Sequence, residues 1–239
     1  MEITAPPPTA SSALDRRLRP LLGKPDGSLV IHEIYRSLQG ESTYAGLPCT
    51  FIRLTACHLR CTYCDTAHAF QRGSTLPLDE VIEQALATGD RLIEVTGGEP
   101  LLQPEVFPLM TALADAGRMV LLETSGAVDI QPVDPRVAII LDVKTPGSGE
   151  VAANLDSNLA WLKPIDEVKY VVADRDDFDW AVAHVRQHDL TSRVAVLVGA
   201  VHGRVDPTDL ASWILETGLP LRLQIQLHKV LWGAQTRGV

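Results

Sequence analysis

No stretch of the 239-residue sequence approaches the run of about 20 apolar residues that spans a bilayer, and no basic segment followed by an apolar one opens it. The chain is therefore expected to be soluble and cytoplasmic, with no membrane partner. Positive charge is also short: 21 Lys and Arg stand against 30 Asp and Glu, a net charge of −9. That is the wrong sign for gripping a phosphate backbone, so nucleic acid is not an expected partner. Only four cysteines occur, and three of them are crowded together, which argues against a disulfide framework. No Ser/His/Asp or paired-carboxylate pattern stands out, so no side chain is expected to act as a strong general base. The seven histidines are scattered and read as core or contact residues rather than ligands.

What the sequence does contain is a C-x3-C-x2-C run, Cys57-His-Leu-Arg-Cys61-Thr-Tyr-Cys64. Thiolates are the preferred ligands of iron–sulfur clusters and of zinc. Three fit a cubane cluster with one iron left open to a small molecule. The other reading is zinc, closed by His58 or His68 as a fourth ligand in a non-catalytic, metal-stapled binding protein. Cys49, outside the run, reads as a small buried hydrophobe.

Residues 1–27, with Pro6-Pro-Pro8, Ser11-Ser12 and Pro25-Asp-Gly27, read as a disordered N-terminal arm, and 28–239 as one domain. Strands are predicted at Leu29–Ser37, Thr50–Thr55, Leu92–Thr96, Met119–Glu123, Ala138–Asp142, Glu167–Val172, Arg193–Val198 and Leu221–Leu227. Helices are predicted at Leu78–Ala87, Glu105–Ala116, Asn154–Leu162, Asp177–His188 and Pro207–Thr217, the last with Asp206 as N-cap and Gly218 after its end. Alternation of this kind, with nearly continuous apolar strands, argues for an α/β fold built on a mostly parallel sheet, open or curved into a barrel. Ligands of such sheets bind at the carboxyl ends of the strands. There lie the cysteine loop, Gly97-Gly-Glu-Pro100, Thr124-Ser-Gly126 and Lys144-Thr-Pro-Gly147.

Taken together, Ser37-Leu-Gln-Gly-Glu41, Phe51-Ile-Arg53, the cysteine run continuing into Asp65-Thr66, Thr96-Gly-Gly-Glu-Pro100, Glu123-Thr-Ser-Gly126 and Gln226-Leu-His-Lys-Val-Leu-Trp-Gly233 resemble the radical S-adenosylmethionine (SAM) enzymes. Within them they resemble the 7-carboxy-7-deazaguanine synthase family of the 7-deazapurine (queuosine) pathway. The resemblance implies a partial, TIM-like β/α barrel with its helices outside, a 4Fe-4S cluster on Cys57, Cys61 and Cys64, SAM, and Mg2+ on Thr66. It implies SAM contacts from Tyr63, Gly98, Glu99, Glu123, Ser125, Asp142 and Lys144. For the substrate, 6-carboxy-5,6,7,8-tetrahydropterin, it implies Leu38, Gln39, Gly40, Arg53, Thr96 and the terminal carboxylate of Val239. Where some relatives carry Ser-Pro-Lys this chain has Asp142-Val-Lys144, and where they carry a Gln-Pro-Met-Asp-like run it has Leu197-Val-Gly-Ala200. The implied reaction is a lyase step losing ammonia and starting from an electron supplied by a donor such as a flavodoxin, with no catalytic residue beyond the cluster and cofactor. A homodimer touching through Leu221–Leu227 and Trp232 is also implied. A glycyl-radical-enzyme activating enzyme would share the cysteine loop and Gly-Gly-Glu-Pro.

Overall fold

The computed structural model describes residues 16–234 and 236–238. Among these, nine strands form a single sheet: β1 (Ser28–Leu38), β2 (Pro48–Leu54), β3 (Ser74–Pro77), β4 (Leu92–Gly97), β5 (Met119–Thr124), β6 (Ala138–Asp142), β7 (Glu167–Val172), β8 (Ala195–Ala200) and β9 (Arg222–Gln224). Their order is β3-β1-β2-β4-β5-β6-β7-β8-β9. From β2 to β9 neighbours run parallel, whereas β1 lies antiparallel to both β2 and β3. The helices are α1 (Leu78–Ala87), α2 (Val106–Asp115), α3 (Arg175–Gln187), α4 (Pro207–Thr217) and α5 (Leu227–Leu231). Asp206 caps α4 by accepting from the Thr208 amide at 2.7 Å, and Gly218 ends it at φ +66°, the left-handed conformation that favours glycine.

Strand alternation divides the sheet into two faces. Ile52, Leu54, Ile93 and Val95 point outward and bury against helices, among them Leu109 of α2 and Phe178 of α3. The inner face is apolar at the start of the strands, where Cys49, Phe51, Leu92, Leu121, Ala138 and Ile140 pack together. One or two positions further along the same face come Arg53, Glu94, Thr96, Glu123, Asp142 and Lys169, at the carboxyl ends. The barrel is partial, its two edges being β3 and β9. The β1–β2 connection, residues 39–47, folds across the inner face: the Ser42 amide donates to Gln224 Oε1 on β9 at 3.0 Å, and the Thr43 amide to Glu167 on β7 at 3.1 Å.

Three elements differ from the sequence expectation. The helix expected over Asn154–Leu162 is replaced by two 3-10 turns, Val151–Ala153 and Asp156–Trp161, because Asn158 turns inward. It accepts from the Ile130 amide and donates to the Gly126 and Val128 carbonyls at 2.9–3.2 Å, local competition that asparagine is suited to. The strand expected over Leu221–Leu227 is only Arg222–Gln224, and α5 begins at Leu227. There the Leu227 amide donates to Gly40 at 3.0 Å and pulls the chain over the cavity. Strand β3 carries no apolar alternation and was not expected; β1 pairs with it along Ser28–Ile31. Of the arm, residues 1–15 lie outside the described residues. Residues 16–27 lie against the domain, with Arg17 donating to the His58 carbonyl at 2.5 Å and Lys24 paired with Glu105.

Candidate active site

The cysteine loop leaves β2 through Ala56, a non-glycine residue at φ +79°, a conformation that persists only where its surroundings enforce it. Here the Glu99 amide donates to the Ala56 carbonyl at 2.8 Å, and the Ala56 amide to Ala69 at 3.1 Å. The rest of the loop is held from outside. Thr62 donates from its amide to Ser148 at 2.9 Å and from its hydroxyl to Gly147 at 2.8 Å, while the Arg60 amide meets Glu150 at 2.5 Å. Arg60 also sits over the Phe70 ring at 4.1 Å.

Cys57, Cys61 and Cys64 all face one cavity of about 640 Å³ at the carboxyl ends of the strands. Burial raises all three thiols, that of Cys57 to about 12. Sulfurs sharing one tetrahedral zinc stand about 3.8 Å apart, given Zn–S of about 2.3 Å. The groups of His, Cys, Asp and Glu whose ligand atoms all approach within 4.8 Å number two among the described residues, and neither contains a cysteine. The three sulfurs therefore do not all lie within 4.8 Å of one another; one zinc would have to draw them together, whereas a cluster would place each thiolate on its own iron. Of the two histidines offered as a fourth zinc ligand, His68 lines the cavity and His58 does not. Cys49 is fully buried in the lower inner face, as expected.

The glycine pair after β4 has a steric role that its sequence does not reveal. A Cβ on Gly98 would stand 2.1 Å from the Ala56 carbonyl oxygen, and one on Gly97 2.4 Å from that of Leu54. Both glycines therefore let β4 press against the root of the cysteine loop, and Gly98 also lines the cavity. Glu99, expected to meet the cofactor, does not line it. Its buried carboxylate accepts from the Leu101 amide at 3.1 Å, Thr124 Oγ1 at 2.9 Å, the Ser125 amide at 2.8 Å and Ser125 Oγ at 2.5 Å. It fastens the loops after β4 and β5 to each other. Gly147 is explained in the same way, since a Cβ there would meet Asp177 Oδ2 at 2.4 Å.

The other expected cofactor residues, Tyr63, Glu123, Ser125, Asp142 and Lys144, line the cavity. Burial pushes the Tyr63 phenol up to about 12. Its hydroxyl donates to the Val171 carbonyl at 3.0 Å, which leaves the ring as the part available for stacking. Lys144 pairs with Asp142 at 2.9 Å. Thr66 lines the same cavity and donates to Asp65 Oδ1 at 3.0 Å. Burial works against the Asp65 charge, but Lys229 at 2.9 Å holds the carboxyl well below the usual range. A hydroxyl beside a carboxylate is an oxygen donor set that suits Mg2+.

Leu38, Gln39, Gly40, Arg53 and Thr96 also line the cavity, whereas Val239 lies outside the described residues. Gln39 donates to Glu94 and accepts from the Glu41 amide at 3.0 Å. Arg53 donates from Nε to Glu33 at 2.9 Å and from Nη2 to the Tyr35 hydroxyl at 2.8 Å, an arrangement that fixes the guanidinium plane.

Sequence reasoning missed the ionisable centre of the site. Lys169 lies 2.8 Å from Glu41 and 3.7 Å from Asp142, and it pairs with Glu123. Burial disfavours its charge, yet the Glu123, Glu41 and Asp142 carboxylates outweigh that and raise Lys169 well above the ordinary lysine value. Glu94 is raised well above the carboxylate range, by burial first and then by Glu123. Gln226 donates to Glu41 at 2.7 Å. The only sequence signal for this group was polar residues recurring at alternate positions inside otherwise apolar strands.

Comparison with known proteins agrees with this geometry. The pattern of the radical SAM superfamily matches residues 51–143. A 7-carboxy-7-deazaguanine synthase from Koribacter versatilis is 46% identical over 225 residues, covering 87% of this chain and 99% of the relative. One from Chlorobaculum tepidum is 43% identical over 217 residues, covering 90% and 99%. The crystal structure of QueE from Escherichia coli superposes with a TM-score of 0.67 at 21% identity, over 85% of this chain and 96% of that one, which establishes a shared fold.

Proposed function

Since this chain belongs to the 7-carboxy-7-deazaguanine synthase family of radical SAM enzymes, we propose that it is a lyase converting 6-carboxy-5,6,7,8-tetrahydropterin to 7-carboxy-7-deazaguanine with loss of ammonia. The observation that carries this is a single cavity that brings Cys57, Cys61 and Cys64 together with the Leu38–Gly40 segment and Arg53.

When bound, the 4Fe-4S cluster and SAM would supply radical chemistry capable of hydrogen abstraction. The chain's residues hold and orient. Cys57, Cys61 and Cys64 would hold the cluster, and Thr66 with Asp65 would offer oxygens to Mg2+. The Tyr63 ring and the Gly98 backbone would flank the cofactor, with Ser125 and Lys144 lining the cavity at the next two strand ends. Arg53 takes the pterin carboxylate, its plane already set by Glu33 and Tyr35. Gln39 and Glu94 present paired donors and acceptors suited to a heterocycle edge. The apolar lower part of the inner face, with Phe51, Leu121 and Ile140, closes the floor of the cavity and keeps water from the reacting centre.

A flavodoxin-like electron donor, a cytoplasmic location and a homodimer through β9 and Trp232 belong to the same reading. Among the described residues no helix is long and apolar enough to cross a membrane. Exposed Leu223, Ile225, Val230, Leu231 and Trp232 cluster near β9, an apolar patch of the kind interfaces use. The test is anaerobic reconstitution followed by incubation with the carboxylated pterin, SAM and a reductant. Ammonia and 7-carboxy-7-deazaguanine are expected in equal amounts; a cluster-loaded protein that cleaves SAM and leaves the pterin unchanged would overturn the proposal.

A further inference from the structure

A second group of donors lies outside the cavity. His184, in the last turn of α3, and His188, just beyond its end, are four residues apart and therefore on one face of the helix. Asp156, which opens the 3-10 turn Asp156–Trp161 in the β6–β7 connection, approaches them. His184 Nε2 lies 3.7 Å from Asp156 Oδ1, the two imidazole centroids are 4.5 Å apart, and ligand atoms of the three residues all lie within 4.8 Å of one another. None of the three lines the cavity.

The two histidines are not satisfied core residues. The Nε2 atoms of both are buried with no hydrogen-bond partner, which protein interiors rarely tolerate. His184 is 8% exposed, and its other nitrogen, Nδ1, lies 2.7 Å from the Tyr170 hydroxyl. Trp180 stacks on the same ring at 5.2 Å and 18°. A ring fixed from behind by a hydrogen bond on one nitrogen, with the other nitrogen left bare, is how protein imidazoles are presented to metals.

We propose that Asp156, His184 and His188 bind a divalent transition-metal ion of the zinc type, tying the β6–β7 connection to the end of α3. Two imidazoles and one carboxylate suit zinc, cobalt, nickel or copper, whereas Mg2+ and Ca2+ take oxygen ligands. Donors on one tetrahedral zinc stand about 3.3 Å apart, from bonds of about 2.0–2.1 Å, so the 3.7 Å gap between His184 and Asp156 closes with a shift of a few tenths of an ångström. The Asp156 side chain is 62% exposed, which gives the ion a route in and leaves room for water as fourth ligand. The role is structural, and the site is independent of the cluster.

The experiment uses cluster-loaded enzyme passed over a chelating resin, dialysed against low-micromolar zinc, and analysed for zinc and iron together. Retention of about one zinc per chain is expected, with iron unchanged, only nitrogen and oxygen neighbours at about 2.0 Å in zinc X-ray absorption, and a melting temperature raised by the ion. His188→Ala should weaken retention tenfold or more, the loss that even an outer partner of a metal ligand produces. Asp156→Asn, at an exposed position, should do the same and decides the matter if the histidine variant folds poorly. No zinc on the parent, sulfur in its shell, or parental retention by the variants would overturn the proposal.

Discussion

The Lys169 ammonium on β7 lies 2.8 Å from a Glu41 carboxylate oxygen in the β1–β2 connection, 128 residues away in sequence. The same ammonium pairs with Glu123 on β5 and faces Asp142 on β6, so one buried cation holds together carboxylates from three separate segments.

Lys169→Met should destabilise the fold by about 3–5 kcal/mol, the cost of leaving buried charges without their partner. The deficit should depend on pH. Glu41 and Asp142 titrate below their ordinary values in the folded protein, so the stability they contribute is present above the ordinary carboxylate range and is lost as pH falls through their lowered values. Lysine removal takes away the Glu41 contribution and part of that of Asp142, which Lys144 lowers more than Lys169 does. Urea unfolding of parent and variant should therefore differ most near pH 7 and converge toward acid pH; a gap that stays constant would count against the network.

Glu99→Gln should lower stability by about 1–3 kcal/mol, because an amide NH2 would then face amide or hydroxyl donors. Thermal unfolding is the measurement. The loss should appear there and only slightly in SAM affinity, since the carboxylate lies outside the cavity; a large affinity loss without destabilisation would return Glu99 to the cofactor.

Arg53→Lys should raise the KM for the pterin about thirtyfold, or about 2 kcal/mol, through loss of a forked hydrogen-bond pair to its carboxylate. Steady-state kinetics at saturating SAM tests this. An unchanged KM would place the carboxylate elsewhere.

Gly98→Ala should prevent stable cluster uptake. Its Cβ would meet the backbone oxygen of Ala56 at 2.1 Å, and backbone at the root of the cysteine loop has no rotamer by which to yield. Iron and acid-labile sulfide after reconstitution should both fall, whereas Cys49→Ala, altering a cysteine that is 0% exposed and lies outside the loop, should keep both.

The parts of this molecule legible in its sequence are those fixed by local physics. Val137-Ala-Ile-Ile-Leu141 is too continuously apolar for anything but an element buried on both faces, and β6 is found at Ala138–Asp142. Asp206-Pro207 begins a helix and Gly218 ends it because capping depends on neighbouring residues alone. What stayed hidden was settled by distant partners. Asn158 dissolves an expected helix by bonding backbone 28 to 32 residues away. The Lys169 network draws one charge from each of several segments, and no spacing rule spans such separations. Glu99 shows a different limit: its motif places it beside the site, while the direction of its carboxylate depends on Thr124 and Ser125 at the end of β5. His184 and His188 had helical spacing in plain view, but Asp156 joins them only through the tertiary fold.

Residues 39–47 supply Gln39 and Glu41 to the cavity and, through Ser42 and Thr43, clamp β9 and β7. Under the proposed function, substrate preference and the covering of the inner face thus depend on the same nine residues. Retuning this enzyme by grafting a longer or shorter segment there would slacken the whole wall of the pocket, so new selectivity is better sought by exchanging single inward-facing side chains.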